Sequence, residues 1–155
     1  MAMSDSHFQP EEFDIPSRFR HFGDDAAEDL IGPFFACNSF NGAETAFRVQ
    51  EKNCNIMGAC HGGMLMAFAD FTMGMCQFLE TGKAALTITC NNEFTRGAQL
   101  GDLVIGRGKI SRETGSMFFL SCELYVENEL ILSSSAVFKK LKQSFDQIGS
   151  ERLPT

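Results

Sequence analysis

Asn55, His61, Gly62 and, eight positions further on, Asp70 are the residues whose types and spacing could carry chemistry. Asp70 is the single charge in the run 64–79. A carboxylate inside such a run is costly to bury unless it is paired or functional, which makes it the first candidate for a base or nucleophile. The plainer alternative is a place on one wet stripe of a helix. Gly62 and Gly63 open the run. Backbone N–H groups at a helix start lack intrahelical acceptors and sit at the positive end of the dipole. They suit a carbonyl oxygen that gains negative charge during attack. A bare His-Gly-Gly is more often an ordinary helix entry. His61 either orients a substrate or caps the loop, and Asn55 either holds a water or closes a turn.

Spacing sharpens this. Eight residues of helix span about 12 Å, whereas groups acting on one reacting carbon sit about 3 Å from it. Gly62 and Asp70 of one chain therefore cannot share a centre. Two antiparallel helices across a two-fold axis would set Gly62 of one copy against Asp70 of the other. Ala67, Ala69 and Gly74 would allow the close approach, giving two equivalent sites per dimer.

The elements that must hold these residues are legible. The run 64–79 has Thr72 as its one β-branched residue and stops at Gly82, which predicts a helix of roughly 16–20 residues with a left-handed glycine stop. Apolar residues go most of the way round it, so a sheet must wrap it. A membrane span is disfavoured, because a carboxylate at its centre costs roughly 2.5–3.5 kcal/mol on insertion scales. The Met and Phe residues of the run are read as core. Asn41-Gly42, between the strand-like runs 34–40 and 43–49, predicts a β-hairpin. After Gly82 the pattern turns to period two, with strands expected over 84–94, 102–112, 116–126 and 130–140. The expectation is α+β: a six-stranded antiparallel sheet wrapped around one long central helix. Such an open sheet has bare edges, and pairing with a second copy predicts a homodimer.

With 155 residues, 44% hydrophobic and 21% charged, one globular domain is the natural reading. Three segments are expected: an acidic extension over 1–33 with a short helix, the main domain over 34–141 and a polar tail over 142–155. The net charge of −7 argues against nucleic acid as a partner. Residues 95–142 carry seven Lys and Arg against five carboxylates, a local bias that leaves room for a phosphorylated ligand, Arg96 being one candidate cation. The six cysteines form no C-x-x-C pair, and no apolar leader opens the chain, which predicts reduced thiols and a cytoplasmic location. Cys54, Cys60 and His61 fit no common zinc spacing, so no metal is expected.

Asn55-x-x-Gly58-x-x-His61-Gly62-Gly63, followed by Asp70, resembles the PaaI-type branch of the hotdog-fold acyl-CoA thioesterases, over roughly residues 34–141. The resemblance implies a hotdog fold and hydrolysis of an acyl-CoA to a free acid and coenzyme A, with no cofactor. It implies dimers that often pair into tetramers. It also implies roles: Gly62 N–H polarising the carbonyl, Asp70 of the partner subunit as nucleophile or general base, His61 positioning the thioester, and Asn55 orienting substrate or water. Thr87, Gly63 and Arg96 would bind substrate. Two rival classes are a hotdog acyl dehydratase or hydratase, whose motifs His61-Gly62-Gly63 matches poorly, and a non-catalytic acyl-CoA-binding module, which has no need of a buried Asp70.

Overall fold

The computed structural model describes residues 7–23 and 25–144, so the tail expected over 142–155 lies outside the described residues from 145 onward. Strands β1 (Arg20–His21), β2 (Phe35–Ser39), β3 (Gly42–Arg48), β4 (Ala85–Phe94), β5 (Leu103–Glu113), β6 (Met117–Val126) and β7 (Glu129–Lys140) form one antiparallel sheet. Their order is β1-β2-β3-β5-β6-β7-β4. Two helices accompany them, α1 (Ala26–Ile31) and the twenty-residue α2 (Gly62–Thr81). The sheet has seven strands rather than the six expected. The additional one, β1, comes from the acidic extension and is two residues long, too short to leave a period in the sequence.

Helix α2 starts and stops where its caps dictate. His61 is the N-cap, and Gly82 ends it at φ 65° with its N–H on the Phe78 carbonyl. Phe68, Ala69 and Met73 are wholly buried beneath the sheet. Phe34, Phe47, Phe68 and Phe71 pack ring against ring, with centroid separations from 5.1 to 6.1 Å. The helix lies this close because β5 presents glycine to it. A Cβ on Gly106 would come within 2.5 Å of the Thr72 hydroxyl, which hydrogen-bonds Thr45 at 2.7 Å. This is the hotdog arrangement, a long helix held in a curled antiparallel sheet.

The extension packs against the sheet from residue 8 onward. A 3-10 turn at Pro10–Phe13 leads to Ile15 and Phe19, which bury themselves with Phe35, Cys37 and Ala46 in a second cluster distinct from that around α2. The Arg48 guanidinium donates to the Phe13 carbonyl at 3.0 Å and the Gly101 carbonyl at 2.9 Å, and to that of Asp14. His21 of β1 bonds Asp29 of α1 at 2.7 Å. The short helix expected over 11–22 is only the 3-10 turn at Pro10–Phe13, whereas α1 lies further on at Ala26–Ile31, capped by the Asp25 carboxylate on the Ala27 and Glu28 N–H groups.

The hairpin between β2 and β3 turns on Phe40 and Asn41, with Ser39 opposite Gly42, so the positive φ of 104° falls on the first residue of β3. Among the described residues no helix is long and apolar enough to cross a membrane.

Candidate active site

The tip of α2 is fastened before the helix begins. The Cys60 N–H donates to the Ala98 carbonyl and the His61 N–H to the Asn53 carbonyl, both at 2.8 Å. Cys54 and Cys60 face each other across an isolated antiparallel bridge, and Ala59 pairs likewise with Gln99. Between them the chain reverses. Asn55 donates its N–H to the Ala59 carbonyl at 2.8 Å and accepts from Gly58 N–H at 2.9 Å, while its side-chain Oδ1 accepts from Met57 N–H at 2.9 Å. Gly58 takes the left-handed turn at φ 77°. Within this chain Asn55 therefore closes the turn that delivers His61.

The His61 Nδ1 accepts the Gly63 N–H at 2.9 Å. A nitrogen that accepts carries no proton, so a neutral His61 ring holds its hydrogen on Nε2, free to donate outward. The same bond occupies Gly63. Gly62 N–H, in contrast, has no acceptor among the described residues, and it lies at the positive end of a twenty-residue helix. The Phe94 ring, at the end of β4, stands 3.4 Å from where a Gly62 Cβ would be.

Asp70 lies more than two turns along α2. Its Oδ1 accepts the Thr87 hydroxyl at 2.7 Å, so two residues singled out in the sequence meet in space. Burial pushes the Asp70 carboxyl up from the ordinary 3.8, and the Thr87 bond, which favours the ionised form, pulls it partly back. Just beyond Thr87, β4 carries a bulge. Thr87 pairs with Phe138 and Thr89 with Val137, leaving Ile88 as an extra residue that breaks the regular alternation expected over 86–90.

Around this pair the charge is negative. Glu28 of α1 is pushed up to about 7, first by burial and then by the charges of Asp25, Asp70 and Asp29. Arg96 lies on the loop after β4, whose Ala98 and Gln99 touch the approach to α2, and its guanidinium is paired with Glu129. Gly62, His61, Gly63 and Asn55 thus cluster at one end of α2, and Asp70 with Thr87 forms a second group farther down. Of the small residues expected to let a second helix approach, Ala69 is buried in its own core, whereas Ala67 and Gly74 keep part of their surface.

Burial pushes the Cys60 thiol up to about 12, which makes it a poor nucleophile near neutral pH. All six cysteines are free. Among the described residues no three His, Cys, Asp or Glu side chains converge as a metal site requires. Three features were not legible in the sequence: the bulge at Ile88, the Phe94 ring against Gly62, and the buried Asn53 beneath the tip. The last two depend on which strand end or loop meets the helix start, and no local pattern encodes that.

Comparisons with known proteins bear on the family and the fold. Residues 57–132 match the family described as the thioesterase superfamily. The chain is 32% identical over 113 residues to the "Putative esterase PA0474" of Pseudomonas aeruginosa, covering 71% of this chain and 84% of that protein. It is 31% identical over 81 residues to an acyl-coenzyme A thioesterase of Bos taurus, covering 52% of this chain and 32% of the longer bovine protein. The E. coli PaaI protein from the phenylacetic acid degradation operon superposes with a TM-score of 0.71 at 18% identity, over 78% of this chain and 88% of that one.

Proposed function

The chain belongs to the thioesterase superfamily and is a thioester hydrolase, and we propose that it cleaves acyl-coenzyme A thioesters at sites that two copies build together. The observation that carries the reading is the unclaimed Gly62 N–H at a positive helix end, about 12 Å along the helix from a half-buried carboxylate held by Thr87. One is an electrophile's donor and the other a base or nucleophile. They complete a site when the second comes from another chain.

In that site the thioester carbonyl oxygen accepts the Gly62 N–H, which stabilises the oxyanion as the carbon becomes tetrahedral. Asp70 of the partner subunit either draws a proton from the attacking water or attacks the carbon itself. The C–S bond then breaks, the thiolate leaves with the electron pair and takes up a proton, and the acid is released. His61 Nε2–H is positioned to steady the acyl or thioester group, Asn55 shapes the rim, and Thr87 orients the carboxylate. Arg96, on the loop beside the tip, offers a cation for a coenzyme A phosphate in exchange for Glu129. The bovine relative, by its name an acyl-coenzyme A thioesterase, supports that substrate class. Six free thiols support a reducing, cytoplasmic setting.

The pairing surface is β4. It is ten residues long, lies at the open edge of the sheet and exposes Leu86 and Ile88 by more than half. Long apolar edges are covered in stable proteins, and a two-fold pairing of β4 with itself would cover this one. A dimer, or a pair of dimers, follows.

Gly62→Pro is the decisive variant. Proline is well tolerated at the first helical position, where no intrahelical bond is lost, and His61 already has the extended backbone (φ −60°, ψ 133°) that a following proline requires. The variant should fold, yet lose about 10²–10³-fold in kcat for want of one oxyanion donor. Asp70→Asn should lose about 10²–10⁴-fold while still binding acyl-CoA. Thiol release from butanoyl-, palmitoyl- and benzoyl-CoA measures both. Near-wild-type turnover by either variant would remove that residue from the mechanism.

A further inference from the structure

We propose that Asn53, which precedes the His-Gly-Gly motif and touches no substrate, is a positioning residue that sets the orientation of the Gly62 N–H by fastening the tip of α2 to the end of α1. This rests on the reading of Gly62 as the oxyanion donor.

Asn53 is only 1% exposed, and every polar group it has is engaged. Its Oδ1 accepts the Gln50 N–H at 2.9 Å, and its own N–H returns to the Gln50 carbonyl at 2.9 Å. Its Nδ2 donates to the carbonyl of Ile31, the last residue of α1, at 2.6 Å. Its carbonyl accepts the His61 N–H at 2.8 Å, one residue before Gly62. Lys52 doubles the link by donating to the Leu30 carbonyl at 2.9 Å. The peptide that carries the Gly62 N–H therefore follows directly on a residue whose backbone Asn53 holds, and Asn53 is in turn fixed by α1.

Several features distinguish this from generic packing. A terminal helix carbonyl normally satisfied by water is given to a buried side chain. The amide carbons of Asn53 bury no large apolar surface, so the residue contributes direction rather than area. A displacement of a few tenths of an ångström at His61 re-aims a donor that must lie 2.7–3.1 Å from the developing oxyanion. The acidic N-terminal segment, through Leu30 and Ile31, thereby becomes part of the catalytic frame.

The test compares Asn53→Ser and Asn53→Asp with Ile15→Val, which destabilises the second cluster away from the tip. Serine is too short to reach Ile31, and aspartate keeps the acceptor for Gln50 but sets an oxygen against the Ile31 carbonyl. Expected for both is a fall in kcat of about 10- to 100-fold on whichever of butanoyl-, palmitoyl- or benzoyl-CoA the wild type cleaves fastest, with KM changed by less than about twofold. Amide hydrogen exchange at the His61 N–H should accelerate in the same variants. Kinetics no worse than those of Ile15→Val would overturn the proposal. So would unchanged His61 exchange, a result that stands even if one variant folds poorly. Should Gly62→Pro stay active, the oxyanion reading itself fails; should it be dead while Asn53→Ser turns over normally, only the positioning role fails.

Discussion

Asp70 illustrates how a single side chain can be both anomalous in the sequence and explicable in space. Its burial raises the cost of the charge, and one hydroxyl from β4 offsets part of that cost. A thioesterase that uses the carboxylate loses activity as pH falls through the Asp70 pKa in the folded enzyme, which lies above the ordinary carboxylate value. Thr87→Val removes a bond that favours the ionised form, so the acid limb of kcat/KM should move to higher pH; Thr87→Ser should restore it. A limb that stays put in Thr87→Val would show that the bond does not tune the catalytic group. The unpaired N–H donors at the helix start and the carboxylate at mid-helix were readable from residue type and position. The restriction to Gly62 was not, because the claim of His61 on the Gly63 N–H depends on a ring orientation that sequence does not specify.

Among the elements, the long and strongly patterned ones were legible and the short ones were not. Helix α2, the hairpin and the β5-β6-β7 meander follow from period, glycine stops and turn residues such as Glu127 and Asn128, both at positive φ. α1 has six residues and no apolar stripe, and its place is set by contacts to Lys52, Asn53 and His21. That placement crowds Glu28 against Asp25, Asp29 and Asp70, with a consequence for stability. Below the ordinary value of 4.5 the Glu28 carboxyl is neutral in both folded and unfolded chains. Between 4.5 and about 7 the folded chain keeps a proton that the unfolded chain has lost, so stability falls as pH rises across that window. Above it, the folded chain holds an uncompensated charge. Glu28→Gln should therefore leave Tm unchanged near pH 4 and raise it at pH 8, on the order of 5 °C. Parallel Tm–pH curves for variant and wild type would refute the crowding of charge around α1.

For the whole molecule, the sheet order decides which edge is open to a second copy. The strand that follows α2 does not pair with the next strand in sequence; it crosses to the far edge beside β7. No composition signal dictated that crossing, although the need to wrap an apolar helix on all sides made a curled sheet necessary. Among the described residues, the crossing puts Thr87, and through it Asp70, on a long open edge, whereas the opposite edge is only the two-residue β1. A shared site at that edge makes a prediction that no single-chain site can meet. Asp70→Asn and Gly62→Pro, each inactive alone, are co-expressed with different affinity tags and the mixed dimer is isolated by tandem purification. One of its two sites then combines an intact Gly62 with an intact Asp70 from the other chain, and the second site lacks both. The mixed dimer should hydrolyse at about half the wild-type rate per dimer, with an unchanged KM. A mixed dimer as inactive as its parents would mean that donor and carboxylate do not act across the two-fold axis, and the edge strand would then need another explanation for its exposed Leu86 and Ile88.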